Sequence, residues 1–127
     1  MRILLDTNAF LHLAVKPDRL TRTQREAIDT AQSRYLSIAS AWEIAVKVAI
    51  GKLPLPMQVS AYVRSRIAEL RILLLPIELE HVGLVQELPM HHRDPFDRLI
   101  IAQALHEKMA LVTLDAKLGA YGAPLVS

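Results

Sequence analysis

Short apolar runs that stop at an acid, with helical stretches between them, constrain this chain more than any other feature. Ile3-Leu4-Leu5 runs into Asp6, and Leu111-Val112-Thr113-Leu114 into Asp115. Tyr35-Leu36-Ser37-Ile38 and Ile72-Leu73-Leu74-Leu75 are two more runs of strand length. They are continuous rather than alternating, as strands covered on both faces are. Residues 7–15, 21–32, 40–51, 57–70, 78–88 and 94–108 read as helices, punctuated by Pro17-Asp18, Gly51, Pro54, Pro56 and the irregular loop 89–93. A helical turn at 115–119 and a short strand at 124–126 close the pattern. Strands alternating with helices predict an α/β fold: three layers, α/β/α, around a short, mostly parallel central sheet.

A chain of 127 residues can bury one real core, so residues 1–127 are read as a single domain. With 52% apolar and 22% charged residues it is not a disordered chain. The absence of cysteine excludes a disulfide scaffold, a zinc ribbon and a cysteine nucleophile. Four glycines leave little room for a glycine-rich phosphate loop. Six aromatic residues are thin for a base-stacking platform. Met1 to Leu5 meets Asp6 after three apolar residues, which is no signal-peptide core. No apolar run approaches the roughly 20 residues of a spanning helix. The expectation is a soluble cytoplasmic protein without a membrane partner.

In parallel sheets ligands bind beyond the carboxyl ends of the strands, and the acids of this chain fall there. Asp6 and Asp115 follow strands, Glu43 lies a turn into the helix after the second strand, and Asp94 and Asp97 open the helix at Asp94-Pro95. Four of the six aspartates belong to this group. Each acid taken alone has an ordinary explanation. Ser40-Ala41-Trp42-Glu43 has the spacing of a capping box, and Glu43 stands four residues before Lys47. Asp94 before a proline is a good N-cap, worth about 0.5–2 kcal/mol. Serine, threonine or asparagine would cap as well, without the repulsion that several carboxylates around one crevice impose. A hard divalent cation removes that objection, and an all-oxygen donor set suits Mg²⁺ or Mn²⁺ rather than Zn²⁺.

Taken together, Ile3-Leu4-Leu5-Asp6-Thr7-Asn8, Ser40-Ala41-Trp42-Glu43-Ile44, Asp94-Pro95-Phe96-Asp97-Arg98-Leu99-Ile100-Ile101-Ala102-Gln103-Ala104 and Leu111-Val112-Thr113-Leu114-Asp115 resemble a PIN-domain nuclease, and more narrowly the VapC-type toxins of toxin–antitoxin pairs. The resemblance spans essentially the whole chain, and the specificity lies in the four motifs in order. It implies a PIN-like fold and a metal-dependent endoribonuclease. Asp6, Glu43, Asp97 and Asp115 are the implied catalytic, metal-holding acids, for one or two Mg²⁺ or Mn²⁺ ions that promote an in-line phosphodiester displacement. Asn8, Asp94 and Thr113 are the implied accessory positions. Helix N-termini near Glu43 and Asp97 are expected to ease the crowding of charge. Ala116-Lys117-Leu118-Gly119 departs from the family in lacking a phenylalanine after the last acid.

The implied partners are an RNA substrate, a VapB-type antitoxin that inhibits the toxin, and a second copy in a homodimer. Arg93 and Arg98 flank the acids and are expected to contact RNA phosphate, as are Lys16, Arg19, Arg22 and Arg25 on one stretch. Lys47 and Lys52 are expected at the surface. His91 and His92, adjacent on a loop, are not read as metal ligands. Apolar residues around much of residues 42–50 and 53–63 point to a second covered face. Two rivals compete. A phosphotransfer domain would need a second acid two residues after Asp6, where Asn8 stands instead, or a lone lysine after a late strand. A non-catalytic PIN-like module that only holds RNA or protein would be expected to lack one or more of the acids.

Overall fold

A computed structural model describes all residues, 1–127. Strands β1 (Arg2–Leu5), β2 (Ser33–Ser37), β3 (Ile72–Leu75), β4 (Ala110–Val112) and β5 (Leu125–Val126) form one sheet in the order β3-β2-β1-β4-β5. Every pairing is parallel, so the sheet is wholly rather than mostly so. The helices are α1 (Thr7–Val15), α2 (Arg22–Thr30), α3 (Ile38–Ala49), α4 (Val59–Leu70), α5 (Leu79–Glu87) and α6 (Pro95–Glu107), with 3₁₀ turns at Pro17–Arg19 and Ala116–Tyr121.

Alternation along β1 sorts the core into two layers, because successive strand side chains point to opposite faces. Ile3 and Leu5 pack with Phe10, Ile28, Ile44 and Tyr62, drawn from α1 to α4. Leu4 packs on the other face with Leu99, Ile100, Ile101 and Ala104 of α6, and with Leu118 and Tyr121 of the last 3₁₀ turn. The result is the expected α/β/α sandwich. Edge strand β3 departs from the two-sided expectation: Leu73 and Leu74 are exposed.

Two boundaries differ from the sequence reading. β2 spans Ser33–Ser37, two residues earlier at its start than the apolar run, because its register pairs Arg2 with Ser33 and Leu5 with Leu36. That shift makes Ser37 the N-cap of α3: its hydroxyl accepts from the Ala39 amide at 2.9 Å. Ser40 therefore lies inside the helix, and the capping box expected of Ser40 and Glu43 does not form. At the other side of the sheet, β4 stops at Val112, so Thr113 and Leu114 separate the strand from Asp115. The caps read at Asp6 and Asp94 do form, and Thr21 with Gln24 makes a full capping box on α2.

Candidate functional site: an acid cluster at the carboxyl edge of the sheet

The chain runs from β1 outward through β2 to β3 and then returns to place β4 on the other side of β1. The strand order thus reverses between β1 and β4, where α/β sheets open a crevice at their carboxyl ends. Asp6 sits at that point. Its amide continues the ladder, donating to Val112 O at 3.1 Å. Its Oδ1 accepts from the Ala9 amide at 2.8 Å, capping α1.

Asp6 is 5% exposed. Burial, the largest cause, and the charges of Asp97 and Glu43 raise its pKa from 3.8 to about 6, against hydrogen bonds from Thr113 and Ala9 that lower it. The Asp97 carboxyl is also raised, by burial first and by Asp94 and Glu43, while its hydrogen bond to His92 pulls the other way. The fold therefore brings Asp6, Glu43 and Asp97 together, with Asp94 close enough to act on Asp97. Asp115 is engaged locally. Its Oδ1 caps the following 3₁₀ turn through the Lys117 amide at 3.0 Å, and its own amide donates to Thr113 Oγ1 at 3.0 Å.

Glu43 is buried in the second turn of α3, because that helix begins at Ile38. The helix N-terminus expected to ease its charge is too far back to matter much, since that effect fades within the first turn. Side chains take its place. The Thr7 hydroxyl donates to Oε1 at 2.6 Å and lies 2.9 Å from Ser40 Oγ. Having one proton, Thr7 spends it on the carboxylate and accepts from Ser40. The Lys47 ammonium donates to Oε2 at 2.6 Å, so the expected helix pair forms. Lys47 is partly exposed, as read from sequence, and is also part of the site. Its pKa is raised first by that hydrogen bond, with further contributions from Glu43, Asp94 and Asp97.

Asp97 stands in the first turn of α6, as expected, and Asp94 caps that helix through the Phe96 amide at 2.9 Å and the Asp97 amide at 3.1 Å. Trp42 meets Phe96 edge-to-face, with ring centroids 4.7 Å apart, and fastens α3 to the start of α6. Asn8 is exposed and lines a groove along α1 rather than the acid cluster. Arg93 is exposed on its loop. Arg98 corrects the sequence reading: it is 8% exposed, and its guanidinium donates inward to the carbonyls of Val85, Leu88 and Pro89 at 3.0 to 3.1 Å. With its donors turned to backbone carbonyls, it is not available to phosphate.

The residues missed from sequence are Thr7, Ser40, Lys47 and His92. A signal existed for three of them. Thr7 is adjacent to Asp6, and Ser40 and Lys47 stand three and four residues from Glu43, on the same helix face. His92 had none, because a loop side chain carries no periodicity.

Three clustered carboxylates, partly or wholly buried, with one lysine in contact, form a donor set of oxygens alone. That chemistry fits a hard divalent cation, whose charge would offset the burial, and the lesser repulsion, that raise the Asp6 carboxyl. His81, His106 and Glu107 bring three ligand atoms within 4.8 Å of one another, a closeness that Asp6, Glu43 and Asp97 do not reach. This trio lies at the opposite edge of the sheet, where Arg2 donates to the Glu107 carbonyl. There His81 Nδ1 accepts from the Glu78 amide at 3.0 Å, which puts the ring proton on Nε2, 2.9 Å from Glu107 Oε2. Both His81 nitrogens are occupied, so His81 ties α5 to the end of α6 and has no lone pair left for an ion.

An all-parallel sheet with acids gathered at its switch point defines an α/β protein with an acid cluster at the carboxyl edge of the sheet. The PIN domain family model matches residues 3–123, and the chain belongs to that family. Among solved structures, its fold is similar to VapBC2 from Rickettsia felis bound to a promoter DNA fragment (18% identity, covering 100% of this chain and 98% of that one, TM-score 0.75). It is similar also to DNA-bound VapBC from Salmonella typhimurium (17%, 100% and 97%, TM-score 0.72) and to FitAcB from Neisseria gonorrhoeae (21%, 98% and 96%, TM-score 0.65). A comparison with curated protein sequences finds no match. No helix is long and apolar enough to cross a membrane.

Proposed function

We propose that residues 1–127 form one PIN-like nuclease domain, a metal-dependent endoribonuclease of the VapC kind. In this reading it acts in the cytoplasm as the toxin of a toxin–antitoxin pair and is inhibited by a VapB-type antitoxin. The observation that carries the reading is the convergence of Asp6, Glu43 and Asp97 at the β1–β4 switch point, with burial raising the Asp6 carboxyl to about 6. Asp6, Glu43 and Asp97 would hold Mg²⁺ or Mn²⁺. Asp115, whose second oxygen is free of hydrogen bonds, is the fourth acid. When bound, one or two such ions supply an activated water and charge stabilisation for in-line cleavage of a phosphodiester. Thr7 and Lys47 fix the Glu43 carboxylate, and Thr113 and Ala9 fix that of Asp6.

The RNA strand has a groove to follow. About 430 Å³ of space runs beside α1 from Asn8 past His12 to Lys16 and Arg19, over Leu11 and Leu55, with no acid in its lining. Its basic rim complements phosphate, and Asn8 is two residues from Asp6. A second groove, of about 500 Å³, lies between α3 and α4 under Trp42, Ile38 and Leu74. Trp42 is 54% exposed and Ile50 60%. Apolar surface of this extent supports a protein partner, the antitoxin or a second copy. A structure of similar fold, a toxin–antitoxin complex from Klebsiella pneumoniae, supports the same reading.

The test is incubation of the purified chain, freed of any partner, with total cellular RNA, with and without Mg²⁺ or Mn²⁺, beside Asp97→Ala. The expected result is metal-dependent fragments carrying 5′-phosphate and 3′-hydroxyl ends, absent in the variant. Cleavage that persists in folded Asp97→Ala, or no cleavage of any RNA by the wild type, overturns the proposal.

A further inference from the structure

We infer that His92 is a positioning residue for Asp97, locked in place by a clamp made of Arg98 and Tyr121. This role rests on the reading of the acids as a metal site. The loop between α5 and α6 has no regular structure, yet one buried cation gathers its backbone. Arg98 Nη2 donates to Val85 O at 3.0 Å and Leu88 O at 3.1 Å, and Nη1 donates to Pro89 O at 3.0 Å and the Tyr121 hydroxyl at 3.2 Å. No carboxylate pairs with Arg98, whose charge faces carbonyl and hydroxyl oxygens only. Burying a guanidinium in this way is a costly route to stability alone.

What the arrangement secures is His92. Its amide donates to Tyr121 Oη at 2.7 Å. Its carbonyl lies 3.4 Å from both Arg98 Nη1 and Tyr121 Oη. With backbone N–H and C=O both tied, the imidazole is carried to Asp97, and Nε2 stands 2.8 Å from Oδ2. An ionised carboxylate only accepts, so the proton is on Nε2 and His92 donates. Oδ2 is thereby engaged and the rotamer held, while Oδ1 makes no hydrogen bond. Outer groups that orient a ligating carboxylate in this manner commonly change metal affinity about 10- to 100-fold when removed.

The measurement is Mn²⁺ affinity of the full chain by electron paramagnetic resonance, with folding checked by circular dichroism and thermal melting. Wild type is compared with His92→Phe, His92→Gln, Tyr121→Phe and Asp97→Asn. His92 is on a loop and partly exposed, so its variants are expected to fold. His92→Phe should lose about 10- to 100-fold in Mn²⁺ affinity at an unchanged melting temperature. His92→Gln keeps a donor near Nε2 and should recover most of the loss. Tyr121→Phe should fall between His92→Phe and wild type. Wild-type Mn²⁺ affinity in His92→Phe, alongside lost affinity in Asp97→Asn, overturns the role of His92 and leaves the metal site standing. Full affinity in Asp97→Asn overturns the metal-site reading, and the role of His92 falls with it.

Discussion

Replacing Asp6 by asparagine should make the metal-free protein more stable at neutral pH, though it removes an acid central to the proposed site. The Asp6 pKa is raised from 3.8 to about 6, first by burial and then by Asp97 and Glu43. A raised carboxyl pKa means that the folded state binds the proton more tightly than the unfolded state. Below 3.8 both states are protonated and Asp6 costs nothing. Between 3.8 and about 6 the unfolded chain ionises first, and stability falls as pH rises. Above about 6 the full penalty is present: the gap between the two values, at about 1.4 kcal/mol per pH unit, amounts to about 3 kcal/mol. Asparagine keeps an oxygen for the Ala9 amide and carries no charge. Urea unfolding in EDTA should therefore favour Asp6→Asn by up to about 3 kcal/mol at pH 7.5, or ~10 °C in melting temperature, with the advantage vanishing below about pH 4. Saturating Mg²⁺ should then restore the wild type and leave the variant unmoved, since a ligand at 100 times its Kd adds about 2.7 kcal/mol. A difference that is independent of pH, or an asparagine variant less stable at pH 7.5, refutes the reasoning.

Two other perturbations probe separate parts of the molecule. Gln24 is fully buried, and its amide donates to Thr113 O at 2.8 Å and Val126 O at 2.9 Å, so Gln24→Ala leaves two carbonyls unpaired and should cost about 1–3 kcal/mol by urea unfolding. Lys16→Glu with Arg19→Glu, built on the cleavage-deficient Asp97→Ala background, should weaken binding of a single-stranded RNA oligonucleotide and flatten the dependence of log K on log salt by about 1.4 or more. An unchanged salt slope would show that RNA does not run along α1.

Local chemistry made much of this molecule legible in advance. Asp94 before Pro95 satisfies the amides at the start of α6 from within four residues, and the apolar runs of β1 and β3 fall where strands form. The start of α3 was not legible. Ser37 and Ser40 are equally good caps by composition, and the choice was made by the pairing of β2 with β1, whose partner residues are about 30 positions away. Arg98 misled because adjacency to Asp97 in sequence is not adjacency in space. Consecutive helix residues point about 100° apart, so Asp97 faces the crevice edge while Arg98 turns into the core. His92 looked like a loop residue because its order comes from the hydroxyl of Tyr121, 29 residues downstream.

Periodicity and capping act within a turn or a strand, so the sequence by itself determined the βα alternation, the α/β class and the acids that stand at the strand ends. Strand order did not follow from those local terms. Only the folded sheet, by inserting β1 between β2 and β4, put Asp6 beside Thr113 and let Thr7 reach Glu43 across 36 positions. The same packing removed Asp6 from water and raised its pKa, since desolvation depends on neighbours that the local sequence does not contain.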